Sequence, residues 1–167
     1  AFAREGITDD VVFIGSGRLG LPDAGIFAFG LGCDMLNVGR EAMLAIGCIQ
    51  SQRCHTDRCP TGVATQNRWL TRGLDPTGKA ERCANYVRVF RAELLALAGT
   101  CGMPHPGLVG PDQLEVLSTG YEARTLREVF GYDDAWLRHD PAQFDAAVAL
   151  MQEAGPDPSA SAGYAAR

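Results

Sequence analysis

The sequence predicts an α/β fold, because short apolar strands alternate with helices in its first part. Val11–Gly15 is a continuous run of apolar and β-branched residues, and Asp34–Val38 is a second short run. Each run leads through a glycine-containing turn into a helical segment. Continuous apolar runs are typical of strands buried on both faces of a parallel sheet. We therefore expect a strand–helix–strand–helix unit with parallel strands.

Helices account for most of the remaining pattern. The first is expected to begin at Pro22, which suits a first-turn position, and to end at Gly32; the second covers Glu41–Ile46. The strongest helical pattern runs from Lys79 to Gly99, with apolar residues at steps of three and four. The residues of this stripe are Ala80, Cys83, Ala84, Val87, Phe90, Leu94, Leu95 and Ala98.

The rest of the chain is less regular. Met103–Gly120 is rich in Pro and Gly and is expected to be extended over a surface, with a turn or short helix within Val109–Leu117. Short helices are predicted for Arg124–Phe130 and Pro141–Ala154. The last residues, 155–167, have the composition of a disordered tail.

Composition excludes several classes of protein. With 46% hydrophobic and 21% charged residues in a chain of 167, the sequence is that of a soluble globular domain. A formal charge of −5 and the lack of a Lys/Arg cluster on one face argue against nucleic-acid binding. Neither a membrane-spanning run nor a secretory signal is evident, so a cytoplasmic protein is expected. Because the chain starts without Met, on what reads as the end of a helix, we expect it to be part of a longer protein.

A cysteine-containing loop from Gly47 to Gln66 is the most distinctive segment. It holds Cys48, Cys54 and Cys59, with five residues in the first gap and four in the second. Three thiolates suit an iron–sulfur cluster. A zinc site with His55 as fourth ligand and unligated or disulfide-bonded cysteines are alternatives that the spacing leaves open. The cysteines expected to be structural are Cys33, Cys83 and Cys101.

The two glycine-containing turns are a candidate anion site. Ser16-Gly17-Arg18 follows the first strand, and Gly39-Arg40 follows the second. Small residues after a strand leave backbone N–H groups free to approach a phosphate, and helix N-termini favour anions. The alternative is that these glycines only serve tight turns.

Several of these segments together resemble a known family. Ile-Gly-Ser-Gly-Arg-Leu-Gly at 14–20, Ala-Phe-Gly-Leu-Gly-Cys-Asp at 28–34 and Asn-Val-Gly-Arg at 37–40 occur in order. Ala-Ile-Gly-Cys at 45–48 and Cys-His-Thr-Asp-Arg-Cys-Pro-Thr-Gly-Val-Ala-Thr-Gln at 54–66 follow. This series resembles the end of the FMN-binding, iron–sulfur domain of glutamate synthase, and most closely the stand-alone glutamate synthase-related proteins. The resemblance covers Val11 to about Pro76, with a less distinctive continuation from Lys79.

The resemblance implies a (β/α)₈ (TIM) barrel, of which this chain holds the last two strand–helix units. Residues 1–66 would be the end of the barrel, with the cluster loop at 47–62, residues 67–154 a mainly helical extension and 155–167 the tail. It implies FMN, with its phosphate lined by Ser16, Gly17, Arg18, Gly39 and Arg40. It also implies a 3Fe–4S cluster on Cys48, Cys54 and Cys59, which leaves no ligand role for His55.

The implied reaction makes L-glutamate by reduction of the 2-imine formed from 2-oxoglutarate and ammonia. The ammonia would come from glutamine, and the electrons from ferredoxin or a pyridine-nucleotide-dependent subunit through the cluster to FMN. Catalytic and substrate-binding residues would lie on earlier strands, so the isolated chain is expected to be inactive. The alternatives are a related oxidoreductase acting on another amino or keto acid and a non-catalytic iron–sulfur electron-transfer module.

Overall fold

Residues 14–45 form a strand–helix–strand–helix unit, as the sequence pattern predicts. The computed structural model describes residues 2–133 and 141–153, so the predicted tail and Ala154 lie outside the described residues. Helix α1 (Phe2–Glu5) and a 3₁₀ turn (Thr8–Asp10) precede strand β1 (Ile14–Ser16) and helix α2 (Pro22–Gly30). Strand β2 (Met35–Asn37) and helix α3 (Arg40–Ala45) complete the unit. Both strands are shorter than the apolar runs from which they were predicted.

Strands β1 and β2 pair in parallel. Ile14 lies opposite Met35, Gly15 opposite Leu36 and Ser16 opposite Asn37. Because successive side chains alternate between the faces of a sheet, Gly15 and Leu36 lie on the half-buried face, and their neighbours lie on the other. Ile14 and Met35 on that other face are 61% and 55% exposed. The pair is thus apolar on a face that the described residues do not cover.

Helix α4 (Pro76–Thr100) is the long element against which the first part packs. Its N-cap is Asp75, whose carboxylate accepts hydrogen bonds from the N–H groups of Thr77 and Gly78. Helices α2 and α3 both contact it. Gly25 of α2 lies where the two helices α2 and α4 cross, and a Cβ added there would be 3.1 Å from Leu94 Cδ2. Glycine therefore allows the two helices to approach closely. The core cluster comprises Ile26, Leu94, Ala98 and Val109, with Phe29, Phe90, Leu97, Cys101, Met103 and Leu114 packed around it.

The apolar stripe predicted on α4 is buried only in part. Leu94 and Ala98 are buried, whereas Val87 on the same stripe is 52% exposed. The physical reason is length. A helix of 25 residues is about 37 Å long at 1.5 Å per residue, whereas α2 has only nine residues and covers a fraction of that face.

The segment after α4 differs most from its prediction. Instead of lying extended over a surface, it turns back through a 3₁₀ turn (Pro106–Leu108) that packs against α2 and α4. Leu108 and Val109 are buried there. The segment continues into strand β3 (Glu115–Leu117), which pairs in antiparallel fashion with β4 (Ala123–Thr125), a hairpin that the sequence reading missed. Helices α5 (Leu126–Phe130) and α6 (Pro141–Glu153) follow, so the described part of 67–154 contains a hairpin as well as helices.

Truncating Leu126 is expected to destabilise the protein. This residue is fully buried, and its N–H donates to the Leu114 carbonyl oxygen at 3.0 Å, which ties α5 to the segment before β3. Leu126→Ala should lower the free energy of unfolding by about 2–5 kcal/mol, since a large buried side chain leaves a cavity. Urea denaturation measures this. Leu117→Ala is the matched control, because Leu117 is 69% exposed and its loss should cost less than about 0.5 kcal/mol. Equal losses in both variants would contradict the packing described.

Candidate functional site

The two candidate phosphate turns lie at the same edge of the sheet. Because β1 and β2 are parallel and in register, with Ser16 opposite Asn37, the chain leaves both strands on one side. Gly17 and Arg18 directly follow β1. Gly39 comes two residues after the end of β2 and is the N-cap of α3, which begins at Arg40. Ser16 and these four residues are all exposed. The structure therefore brings the five predicted residues to one open edge.

Both turn glycines have free space around them. A Cβ added to Gly17 or to Gly39 would meet no atom within 4 Å. Gly17 has a φ of +117° and the following Arg18 a φ of +57°. These left-handed conformations are uncommon for residues other than glycine. The first turn is therefore an open backbone turn in which Arg18 has a left-handed conformation. Such an open turn suits the approach of an anionic group.

Helix α2 begins at Pro22, as expected, with Leu21 as its N-cap, so residues 17–21 form the connection between β1 and the helix. What fixes the turn is Gly20, which is buried against α3 and α4. The Tyr86 hydroxyl donates to the Gly20 carbonyl oxygen at 2.7 Å, and burial, with the charge of Glu41, raises the pKa of Tyr86. Sequence reasoning missed Tyr86, whose position on α4 gave no signal that it would reach the turn.

The cysteine loop begins directly after α3. Gly47 has a φ of +105°, and a Cβ added there would lie 2.8 Å from the Lys79 Nζ atom. A cation of α4 thus lies beside the residue that precedes Cys48. The Cys48 sulfur is half-buried and accepts a hydrogen bond from the Gln50 N–H at 3.4 Å. This contact ties the Cys48 sulfur to the backbone of its own loop.

Cys54 and Cys59 differ in their surroundings. Cys54 is exposed and begins a 3₁₀ turn (Cys54–Thr56). Cys59 is buried, with 5% of its surface exposed, and its sulfur lies 3.4 Å from the Thr61 hydroxyl oxygen. That hydroxyl, followed by the backbone N–H groups of Ala64, Thr61 and Val63, lowers the pKa of Cys59 to about 7. The loop therefore supports the thiolate form of Cys59, the form that ligates metals.

Asp57 organises the chain between and beyond these cysteines. It adopts a left-handed conformation at the end of the 3₁₀ turn. Its Oδ1 accepts from the Gln66 N–H at 2.5 Å and from the Thr65 hydroxyl at 2.8 Å. The Gln66 N–H, and then the Thr65 hydroxyl, hold the pKa of Asp57 below its ordinary value. Sequence reasoning missed this pairing, because the two partners lie eight and nine residues further along the chain.

The three sulfurs are not gathered at one point. Across residues 2–133 and 141–153, no three His, Cys, Asp or Glu side chains are close enough to hold a metal ion. All six cysteines are free thiols in the structure, and Cys33, Cys83 and Cys101 are half-buried. The type of ligand atom in the loop nevertheless fits an iron–sulfur cluster, because the loop offers three thiols. The sulfurs of Cys48 and Cys59 already accept hydrogen bonds. The ligand assignment itself stays a prediction.

One further observation concerns membrane-spanning helices. Among the residues that the structure describes, no helix combines the length and the hydrophobicity needed to cross a bilayer.

Comparison with known proteins identifies the family of the chain. A protein of Bacillus subtilis, the glutamate synthase large subunit-like protein YerD, is 38% identical over 101 residues, 60% of this chain and 19% of that protein. The archaeal glutamate synthase (NADPH) of Methanocaldococcus jannaschii is 35% identical over 100 residues, 60% of this chain and 20% of its own length. The archaeal-type glutamate synthase (NADPH) of Dehalococcoides mccartyi is 31% identical over 126 residues, 74% of this chain and 25% of its own length.

The chain thus spans a fifth to a quarter of the length of these relatives. No solved structure matches it. The family described as "conserved region in glutamate synthase" matches residues 1–104, which include both turns, the cysteine loop and α4. The resemblance drawn from the sequence motifs is therefore confirmed, and the chain belongs to the glutamate synthase conserved-region family.

Proposed function

We propose that the chain is part of a glutamate synthase-type oxidoreductase. Such an enzyme makes L-glutamate from 2-oxoglutarate and ammonia derived from glutamine. The proposal is supported by the family match over residues 1–104 and by the names of the relatives in Bacillus, Methanocaldococcus and Dehalococcoides. The electron donor is proposed to be a ferredoxin or a pyridine-nucleotide-dependent subunit, and the names of the last two relatives include NADPH. The enzyme is proposed to act in the cytoplasm.

The fold proposed for the complete domain is a (β/α)₈ barrel, with β1–α2 and β2–α3 as its last two units. Support comes from the parallel pairing of β1 and β2 and from the helix after each strand. Support also comes from the exposed apolar face that carries Ile14 and Met35. In a barrel this face would point inward, where layers of branched apolar side chains fill the interior. In this arrangement the exposed face would be covered by side chains of the other strands.

The flavin phosphate is proposed to lie against Ser16, Gly17, Arg18, Gly39 and Arg40. Phosphate sites in such barrels commonly follow the last two strands, and the parallel register brings these two turns to one edge. The open space at Gly17 and Gly39 admits the phosphate to the backbone, and the two guanidinium groups complement its charge. FMN, when bound, supplies hydride chemistry; this chain would hold and orient its phosphate end.

The cluster is proposed to be held by Cys48, Cys54 and Cys59, which would have to move together around it. The N–H of Gln50 and the donors around Cys59 would stabilise the thiolates and tune the cluster through hydrogen bonds to sulfur. A 3Fe–4S cluster supplies one-electron transfer. Because three cysteines suffice, His55 is left as an exposed neighbour of the site.

One observation carries the proposal. The edge that presents both turns is followed, after the six residues of α3, by the three-cysteine loop, so a flavin phosphate site and a cluster site would lie on consecutive segments. This neighbourhood suits electron transfer from cluster to flavin. A zinc-binding module would have no use for the two open turns.

The test is chemical analysis of the complete protein purified without oxygen. We expect iron and acid-labile sulfide in a ratio close to that of a 3Fe–4S cluster, together with FMN and without zinc. Assay of 2-oxoglutarate amination then follows. Zinc without sulfide or flavin would overturn the proposal and make the loop a structural metal site.

A related oxidoreductase that acts on another amino or keto acid is the second candidate. It is favoured by one observation: the relative in Bacillus subtilis is named a glutamate synthase large subunit-like protein. Normal iron and FMN content without turnover of 2-oxoglutarate would select this candidate.

A further inference from the structure

We propose that Asp57 is a positioning residue that closes the cysteine loop and holds Cys54 and Cys59 in place for the cluster. The inference rests on the proposed cluster assignment. It assigns no ligand role to Asp57, since its carboxylate is occupied by the loop's own hydrogen-bond donors.

The first step is the ring that the Asp57 carboxylate closes. Its Oδ1 accepts from the Gln66 N–H at 2.5 Å and from the Thr65 hydroxyl at 2.8 Å, and the same hydroxyl lies 2.7 Å from the Asp57 carbonyl oxygen. Residues 57 and 66 are thereby joined across the loop. Cys59 lies inside this ring, as do the residues whose N–H groups and hydroxyl surround its sulfur. Opening the ring would therefore release both the cysteine and its donors.

The second step links Asp57 to Cys54. The Asp57 N–H donates to the Cys54 carbonyl oxygen at 3.4 Å, which ends the 3₁₀ turn that starts at Cys54. The left-handed φ of 59° at Asp57 then reverses the chain toward Cys59. Aspartate and asparagine are among the few non-glycine residues that adopt this conformation readily. One residue therefore sets the backbone geometry between two of the three proposed ligands.

The third step anchors the ring to the rest of the structure. The Asn67 N–H donates to the Thr65 hydroxyl at 3.1 Å, and the Asn67 side chain accepts from the Trp69 N–H at 2.9 Å. These contacts lead into the 3₁₀ turn Leu70–Gly73. A Cβ on Gly62 would be 3.0 Å from the Leu74 N atom, so the far side of the ring packs against the chain that enters α4.

The experiment compares Asp57→Ala, Asp57→Asn and Thr65→Val with the wild type, in the complete protein. The readouts are iron content, the electron paramagnetic resonance signal of the cluster, and the rate of iron release to an excess of chelator. Asp57→Ala removes the acceptor of both hydrogen bonds and should release iron roughly tenfold faster or be isolated without it, since bonds to charged groups are the stronger ones. Asp57→Asn keeps an acceptor oxygen and should largely restore iron retention. FMN content should be unchanged in all three.

Asp75→Ala is the matched control. The Asp75 carboxylate also accepts two hydrogen bonds, from the N–H groups of Thr77 and Gly78, but it caps α4 and joins no cysteines. Its loss should lower stability and leave the cluster signal unchanged. If Asp57→Ala does not fold, Thr65→Val decides, because it keeps the carboxylate and removes only the hydroxyl; faster iron release supports the proposal.

The outcomes separate the two proposals. Iron absent from the wild type overturns the proposed function and this inference with it. Iron present in the wild type, with the same release rate and signal in Asp57→Ala and Thr65→Val, overturns the role of Asp57 alone. Iron loss in Asp57→Asn equal to that in Asp57→Ala would also overturn it, because the retained acceptor should support the ring.

Discussion

Replacement of Cys54 by serine is expected to abolish the cluster while sparing most of the bound FMN. A serine hydroxyl does not form a stable anion near neutral pH, whereas the usual protein ligands of iron–sulfur clusters are cysteine thiolates. Cys54 is exposed, so its replacement removes a proposed ligand without opening a cavity. It is therefore a sharper test than replacement of Cys59, which is buried. Iron, acid-labile sulfide and FMN content measure the result.

Cys83→Ser is the control for this variant. Cys83 lies on α4, outside the loop, and is half-buried, so its replacement should leave iron and sulfide unchanged. Iron content in Cys54→Ser equal to that of the wild type would contradict the ligand assignment. Loss of FMN and iron together would instead indicate that the loop supports the fold of the flavin site.

Replacement of Gly39 by leucine is expected to weaken FMN binding by roughly tenfold or more, since a side chain forced into an occupied site costs about 1–3 kcal/mol. The fold should tolerate the change. Gly39 has a φ of −107°, which any residue can adopt, and a Cβ there meets no atom within 4 Å. Only a bound group would be obstructed. Equilibrium dialysis or fluorescence titration of FMN against the apoprotein gives the dissociation constant.

Gly99→Leu is a matched control for this variant. Gly99 lies near the end of α4 and also has no atom within 4 Å of an added Cβ. It should bind FMN as the wild type does, and helix propensity should keep it at least as stable. Gly17 is a poorer test site, because its φ of +117° would strain any side chain. Unchanged FMN affinity in Gly39→Leu would exclude a phosphate at this turn.

Local pattern predicted the elements of the first part well. Pro22 and the glycines around α2 mark its ends, and the apolar runs mark the strands, because these signals act within a few residues. Strand lengths were overestimated, since an apolar run continues beyond the residues that pair. The α4 stripe was read correctly as helical, but which part of it is buried depends on the length of its partner α2.

Contacts between distant segments were beyond the sequence pattern. The burial of Leu108 and Val109 arises because the chain after α4 folds back against α2, and no local periodicity encodes such a return. Glycine- and proline-rich composition suggested a surface segment instead. The β3–β4 hairpin was missed for a related reason: each strand has only three residues, too few to show an alternating pattern.

The sequence by itself determined the family, the order of strands and helices from β1 to α4, and the candidate residues at the two turns and in the cysteine loop. It could do so because motif spacing and glycine, proline and cysteine positions are local properties of the chain. Only the tertiary structure decided that parallel pairing of β1 with β2 brings both turns to one edge. It also decided that Tyr86 anchors the first turn and that Asp57 closes the loop around Cys59. Those contacts join residues eight to 66 positions apart, and their partners are selected by packing and hydrogen-bond geometry.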